Sequence, residues 1–279
     1  MVRGIDRIPY PAREHYLIER ELAYRLRLST RVERRFLYRE LYDELFRRVP
    51  YHPGLQSREG GPKMGEVRDR VRLLRRFTDD GGVCAEVGAG DGAVARELVR
   101  YMEKVYAFDV SEETVKRTSG ELKNLERRIY DGLELPLAPA SVDLVFSDQV
   151  IEHLHPDDVV LHFETIHRAL KVSGVYVFGT PHCFSGPHDI SKGFDPVATG
   201  FHLREWTNRE LVKIIRDAGF RKVFFPRYPR DRDLVLRIPL SCVLILEGIL
   251  QGLQADWRRP LANTRLISVA LGILIAAVK

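Results

Sequence analysis

Val83-Cys84-Ala85-Glu86-Val87-Gly88-Ala89-Gly90-Asp91-Gly92 is the stretch that decides how this chain folds. An apolar run ends around an acid and passes at once into a turn with glycine at every second position; a helix is predicted from Ala93 to Tyr101. That order describes a buried parallel strand bending sharply into a helix, with glycines that let a ligand lie against bare backbone. Gly88, Gly90 and Ala93 also satisfy the G-x-G-x-x-G/A pattern of nicotinamide and flavin folds. The acids weigh against a dinucleotide. Its pyrophosphate would sit at the helix N-terminus, where Asp91 repels it. Glu86 and Asp91 suit instead a ligand that carries an ammonium and a sulfonium.

Three further segments follow in order. Tyr106-Ala107-Phe108-Asp109 reads as a second strand ending in an acid, about twenty residues after the glycine turn, as a neighbouring parallel strand requires. Tyr130-Asp131-Gly132-Leu133 precedes Leu135-Pro136-Leu137, and Ser141-Val142-Asp143-Leu144-Val145-Phe146-Ser147-Asp148 reads as a fourth strand. From Gly65 to Phe224, and again from Leu271 to Lys279, the chain resembles the class I S-adenosylmethionine-dependent methyltransferases. The resemblance implies an α/β fold with a doubly wound, mostly parallel seven-stranded sheet. It implies binding of S-adenosylmethionine and release of S-adenosylhomocysteine. By position, Glu86, Gly88, Ala89 and Gly90 would meet the methionine part. Asp109, with Val110 beside it, would hold the ribose, and Asp131 with Gly132 the adenine. Ser147 and Asp148 would end beneath the transferable methyl.

At 279 residues the chain can bury a full core, as one domain with additions or as two small ones. No basic and apolar leader opens it, and Cys84, Cys183 and Cys242 offer neither a disulfide framework nor a zinc spacing. A reducing cytoplasm fits. The net charge is +5, and residues 1–50 hold twelve Arg against eight Asp or Glu. That surplus suits an anionic partner, or a helical face laced with Arg–Glu pairs.

Residues 1–64 read as a helical extension, or lid, and a linker, and residues 65–279 as the cofactor-binding domain. The extension holds a helix from Ala12 to Leu28 and a second opened by the capping box Thr30-Arg31-Val32-Glu33, with Leu37, Leu41 and Leu45 on one stripe. Tyr51 to Gly65 reads as the linker, and Gly65 to Phe77 as a helix. Strands at about 82–87, 104–109, 127–130, 142–147 and 174–180 alternate with helices at about 92–102, 112–123 and 157–171, which predicts a parallel sheet covered on both faces. Thr207 caps a further helix that Gly219 ends. Lys222 to Pro226 and Gly272 to Val278 are the closing strands.

Between those last strands lies an insert, 228–265. Within 240–257, Val243, Leu246, Leu250, Leu253 and Trp257 share a helical stripe, followed by Arg258-Arg259-Pro260. The stripe suits peripheral attachment to the inner membrane face, a lid over an apolar acceptor, a dimer contact or core packing. No run supplies about 18 uninterrupted apolar residues, so no spanning helix is predicted.

Methyl transfer is an in-line displacement whose leaving group is already activated, so the protein contributes mainly positioning. A hydroxyl acceptor must also lose a proton. Seven of the nine histidines lie between residues 153 and 202, mostly in the loops after the fourth and fifth strands, where an open parallel sheet binds its ligand. His162 and His167 fall on a helix whose inner stripe reads as Val160, Phe163, Ile166 and Leu170, so both are expected at the surface. Gln149-Val150-Ile151-Glu152-His153 and His202-Leu203-Arg204-Glu205-Trp206-Thr207 resemble segments of the small-RNA 2′-O-methyltransferases and of the ubiquinone-pathway O-methyltransferases. That resemblance implies a divalent metal on Glu152, His153 and His202, with Gln149 standing where the pattern has an acid. Without a metal, His153 or His182 is the candidate general base, and His202 completes the catalytic set. The expected acceptor is a small molecule, a sugar or a lipid-linked metabolite. No RNA-binding module is recognisable, and nucleic acid is not expected as a partner. An RNA methyltransferase, a non-catalytic scaffold and a nicotinamide enzyme are the rival readings.

Overall fold

Strand segments such as Val83–Val87 and Val142–Asp148 carry apolar residues at nearly every position, the pattern of strands covered by helices on both faces. The computed structural model describes residues 10–52, 64–117, 122–227 and 236–279 and builds that sheet. Strands β1 (Val83–Val87), β2 (Lys104–Asp109), β3 (Leu125–Ile129), β4 (Val142–Asp148) and β5 (Leu170–Thr180) pair in parallel. Strands β6 (Lys222–Arg227), β7 (Leu236–Ile238) and β8 (Ile273–Val278) close it antiparallel, in the order β3-β2-β1-β4-β5-β8-β6-β7. The direction of winding reverses between β1 and β4, so the carboxyl ends of β1, β2 and β4 open a crevice there.

The sheet is the expected seven-stranded one plus β7, a three-residue edge strand that the insert contributes. Strand β5 begins at Leu170 rather than 174, directly after the helix before it. Most of the predicted linker falls in 53–63, outside the described residues, as does the start of the insert at 228–235.

Helices α1 (Tyr10–Leu28) and α2 (Arg31–Arg48) form a cap, and Thr30 and Glu33 make the reciprocal capping box read from the sequence. Helices α3 (Met64–Leu74), α4 (Ala93–Leu98) and α5 (Glu112–Arg117) follow, then α6 (Val159–Ala169) and α7 (Asn208–Asp217). Leu22, Leu26, Leu41 and Leu45 of the cap are buried in the same cluster as Val87, Phe108 and Val145 of the sheet. The opposite sheet face buries Val67, Val71, Leu98 and Phe146.

Helix α6 is turned by one residue from the expected stripe. Val160 is 42% exposed and His162 only 1%, so His162 is a core residue, not a surface one. Its ring meets Tyr176 Oη at 2.9 Å, which in turn meets Ser147 Oγ at 2.7 Å, so the buried imidazole has its own partner.

The insert folds as α8 (Leu240–Gln251), α9 (Ala255–Ala262) and α10 (Arg265–Leu271). Val243 and Leu250 pack inward, whereas Trp257, expected on the same stripe, is 70% exposed. Glu247 of α8 is buried and accepts hydrogen bonds from the leading N–H groups of α7, Asn208 at 2.6 Å and Arg209 at 3.0 Å. Among the described residues no helix is long and apolar enough to cross a membrane.

Candidate active site

The turn after β1 needs glycine because Gly88 and Gly90 hold φ of +69° and +53°, the left-handed region that side chains disfavour. Below it Glu86 is buried and accepts the Ala95 N–H of α4 at 2.8 Å. Burial, reinforced by the Asp91 charge, pushes the Glu86 carboxyl up to about 8. At the end of β2, Asp109 accepts Gly90 N–H at 2.8 Å through one oxygen and Ser111 N–H at 3.0 Å through the other. The acid therefore ties two adjacent strand ends together.

These strand ends border a cavity of about 250 Å³. Gly88, Gly90, Gln149 and Val150 form one wall, and Asp109, Val110, Ser111 and Thr114 another. Tyr130, Gly132, His153 and Leu154 also line it, and the cap contributes Tyr38, Tyr42 and Phe46 of α2 and the following His52. Helix α2 is held there by a buried ion pair. Arg34 reaches Asp158 with Nε at 2.6 Å and Nη2 at 2.9 Å, while Tyr38 Oη donates to Asp158 at 3.1 Å and accepts His155 N–H at 2.7 Å.

Of the residues expected at the cofactor, Gly88, Gly90, Asp109, Val110 and Gly132 line the cavity. Ala89 donates its N–H to Phe108 O at 2.9 Å within the turn. Asp131 takes the N–H groups of Leu133 and Glu134, both at 2.9 Å, and pairs with Arg35 at 3.1 Å, so it shapes the bend that carries Gly132. Ser147 is fully buried against Tyr176, and Asp148 pairs with Arg70 at 2.6 Å; neither reaches the cavity wall.

His182 departs furthest from expectation. Its Nε2–H donates to Glu247 at 2.7 Å and its Nδ1 accepts Phe184 N–H at 3.1 Å, so both nitrogens are used in a buried site away from the cavity. An imidazole so engaged has no lone pair to offer as a base, and its role is to join β5 to the insert. Sequence reading missed Tyr38, Tyr42 and Phe46, although they repeat every four residues on α2. Gln149 lines the wall at φ +56°, a strained conformation for a side-chain-bearing residue.

Glu152, His153 and His202 do come together: one ligand atom of each lies within 4.8 Å of the others. His153 Nδ1 is bonded to Phe201 O at 2.9 Å and His202 Nδ1 to Glu205 at 2.9 Å, which leaves Nε2 of both rings free. Glu152 is fully buried; one oxygen accepts Thr180 Oγ1 at 2.7 Å and the other has no hydrogen-bond partner. An orphaned carboxylate oxygen between two oriented imidazoles fits a divalent ion, and the outer bonds are those that fix metal ligands. Burial pushes Glu152 up to about 7 and His153 down to about 3. Burial opposes charge on His202 most strongly, but the Glu205 hydrogen bond and the charges of Glu152, Asp189 and Glu205 together outweigh it and raise that ring. A neutral His153 so weakly basic serves as a ligand or hydrogen-bond acceptor rather than as a proton-abstracting base.

This sheet order, with a glycine turn after β1 and an acid closing β2 around one cavity, defines the class I S-adenosylmethionine-dependent methyltransferase architecture. Residues 85–178 match the family described as a methyltransferase domain. The chain is 34% identical over 155 residues to a Mycobacterium tuberculosis protein described as an S-adenosylmethionine-dependent methyltransferase, covering 54% of each chain. It is 34% identical over 186 residues to the dimethylglycine N-methyltransferase of Parasynechococcus marenigrum, covering 62% of this chain and 64% of that one. Its fold overlays, with a TM-score of 0.55 and 21% identity, on a chain from the complex of the Haloferax volcanii Trm112 methyltransferase activator with a protein described as a methyltransferase, over 81% of this chain and 96% of that one. The chain spans about half the length of the first curated relatives it matches. Its fold is that of the class I S-adenosylmethionine-dependent methyltransferases, and residues 85–178 carry the match to the methyltransferase domain.

Proposed function

We propose that the protein transfers the methyl group of S-adenosylmethionine to a hydroxyl oxygen of a small-molecule, sugar or lipid-linked acceptor. The convergence of Glu152, His153 and His202 beside the cavity carries this reading. An amine attacks a sulfonium methyl with its own lone pair, whereas a hydroxyl needs a polar group placed to help it lose a proton. In this reading Gly88 and Gly90 admit the methionine part, Asp109 takes the ribose and Gly132 the adenine. Tyr38, Tyr42 and Phe46 exclude water and set the approach of the acceptor. When bound to Glu152, His153 and His202, a divalent ion would supply Lewis acidity that lowers the pKa of an acceptor hydroxyl. His153 Nε2 and the free Glu152 oxygen position that hydroxyl, and Thr180 and Glu205 hold the two walls of the site.

RNA is not the acceptor we favour. Arg25, Arg31, Arg34, Arg35, Arg39 and Arg48 of the cap are each paired with an acid of this chain. Transfer to nitrogen is the second reading, supported by the dimethylglycine N-methyltransferase likeness and by an aromatic roof that suits the ammonium formed when a neutral amine is methylated. Product analysis after incubation with S-adenosylmethionine and paired hydroxyl and amine acceptors separates the two. An O-methyl product, lost on chelation and reduced about 10²-fold or more in Glu152→Gln, supports the first. An N-methyl product formed equally by Glu152→Gln replaces it with the second.

A further inference from the structure

The cap holds a second convergence of ligand atoms that methyl transfer does not use. His15 and Glu19 stand one turn apart on α1, and His52 follows α2. His15 Nε2 lies 2.7 Å and His52 Nε2 3.3 Å from the same oxygen, Glu19 Oε1. One ligand atom of each residue lies within 4.8 Å of the others. His15 and Glu19 are buried, and the two rings meet edge to face at 5.0 Å. The second Glu19 oxygen takes Phe201 N–H at 3.2 Å, an outer bond that fixes the carboxylate's direction. Ligands bound tetrahedrally at zinc-like distances stand roughly 3.3 Å apart. The His52–Glu19 spacing already matches this, and the His15–Glu19 contact has only to open slightly.

We propose that His15, Glu19 and His52 form a binding site for a divalent transition-metal ion, with zinc as the reference ion. Two imidazoles and one carboxylate select zinc, cobalt, nickel or iron over magnesium and calcium. The ion takes the place of the proton shared between imidazole and carboxylate, so its uptake releases protons. Three protein ligands leave a fourth position open, and His52 also lines the cavity. The bound ion fastens α1 to the segment leaving α2. Through Glu19 and Phe201 it reaches the loop before His202, because Phe201 gives its N–H to Glu19 and its carbonyl to His153. The inference is independent of which atom the enzyme methylates.

The full chain, stripped with chelator and dialysed, is titrated with Zn²⁺ by calorimetry and with Co²⁺ by visible absorption. Glu152→Gln removes the metal-binding capacity of the cluster beside the cavity, and this variant is expected to retain one equivalent held by the cap. Adding His15→Gln or His52→Gln abolishes that equivalent, a loss exceeding the roughly 10–100-fold that follows removal of a supporting hydrogen bond. The His52 side chain is 21% exposed, so His52→Gln leaves the core intact, and an unchanged far-ultraviolet dichroism spectrum without metal verifies folding. Metal uptake that vanishes in Glu152→Gln alone overturns the cap site while leaving the cavity cluster standing. Uptake by Glu152→Gln that is unaffected by His15→Gln and His52→Gln overturns it as well.

Discussion

A methyl group built on Gly90 meets nothing within 4 Å, whereas one built on Gly88 lies 2.4 Å from Val150 Cγ2. Both positions are left-handed, so alanine at either costs about 1–2 kcal/mol in backbone strain, but the remaining effects diverge. Gly88→Ala is expected to lower the melting temperature more, through the added clash. Gly90→Ala is expected to lower affinity for S-adenosylhomocysteine more, because its methyl intrudes on the cavity. Melting curves and calorimetry on the same two proteins check this. Glu86 gives a pH signature. Its folded-state carboxyl stands near 8 against an ordinary value of 4.5, so its protonated form stabilises the fold at low pH and that contribution is lost as pH rises toward 8. Glu86→Gln should flatten the fall in stability of the ligand-free protein between pH 5 and 8, measured by urea unfolding across that range. The glycines and the acid after β2 were legible because their chemistry is local. The fates of Asp131, Ser147 and His182 were not, since each depends on a partner distant in sequence: Arg35, Tyr176 and Glu247.

At the scale of elements, the cap is seated by Arg34 and Asp158, side chains only 2% and 1% exposed. Arg34→Met leaves the buried Asp158 carboxylate with only the half-exposed Arg31, at 3.1 Å, as counter-ion and should cost toward the lower end of about 3–5 kcal/mol, whereas Arg34→Met with Asp158→Leu should recover much of it. Denaturant titration of the two variants reads the difference, and equal losses would assign the seat to packing alone. The sequence placed α2 and its capping box correctly and marked Leu37, Leu41 and Leu45 as one stripe, of which Leu41 and Leu45 are buried and Leu37 only partly. It did not show that the neighbouring stripe, Tyr38, Tyr42 and Phe46, roofs a cavity, because four-residue spacing of aromatics is equally a core pattern. Helix α6 was found in place but rotated by one residue. Periodicity counts His as polar, and only the Tyr176 hydroxyl makes His162 an inward residue.

Across the whole molecule, the cavity is walled by the ends of β1, β2, β3 and β4, by α2 and by the stretch around His153. A ligand bound there links the cap to the sheet. Saturation with S-adenosylhomocysteine at about 100 times its Kd should stabilise the chain by about 2.7 kcal/mol. In hydrogen exchange, protection is expected in α2 and around His153 as well as in residues 83–110. Protection confined to the latter would show that the cap is indifferent to cofactor. The insert leaves Ile245, Ile249, Trp257, Leu266 and Val269 exposed. If residues 240–257 contact a second copy, sedimentation velocity will show a concentration-dependent dimer that Ile249→Ser weakens. Flotation with anionic vesicles tests the membrane alternative. The order of the sheet was readable because alternating strand and helix signals admit few topologies, whereas the path of the insert was not, since it depends on Glu247.

That single glutamate bears on how the insert is anchored to the domain. Its carboxylate receives the first amides of α7 and the proton of His182 at once. Without α8, solvent or a different residue would have to meet those amides. The insert helices and the histidine at position 182 are thus coupled: removing α8 strips the imidazole and the leading amides of α7 of one shared acceptor.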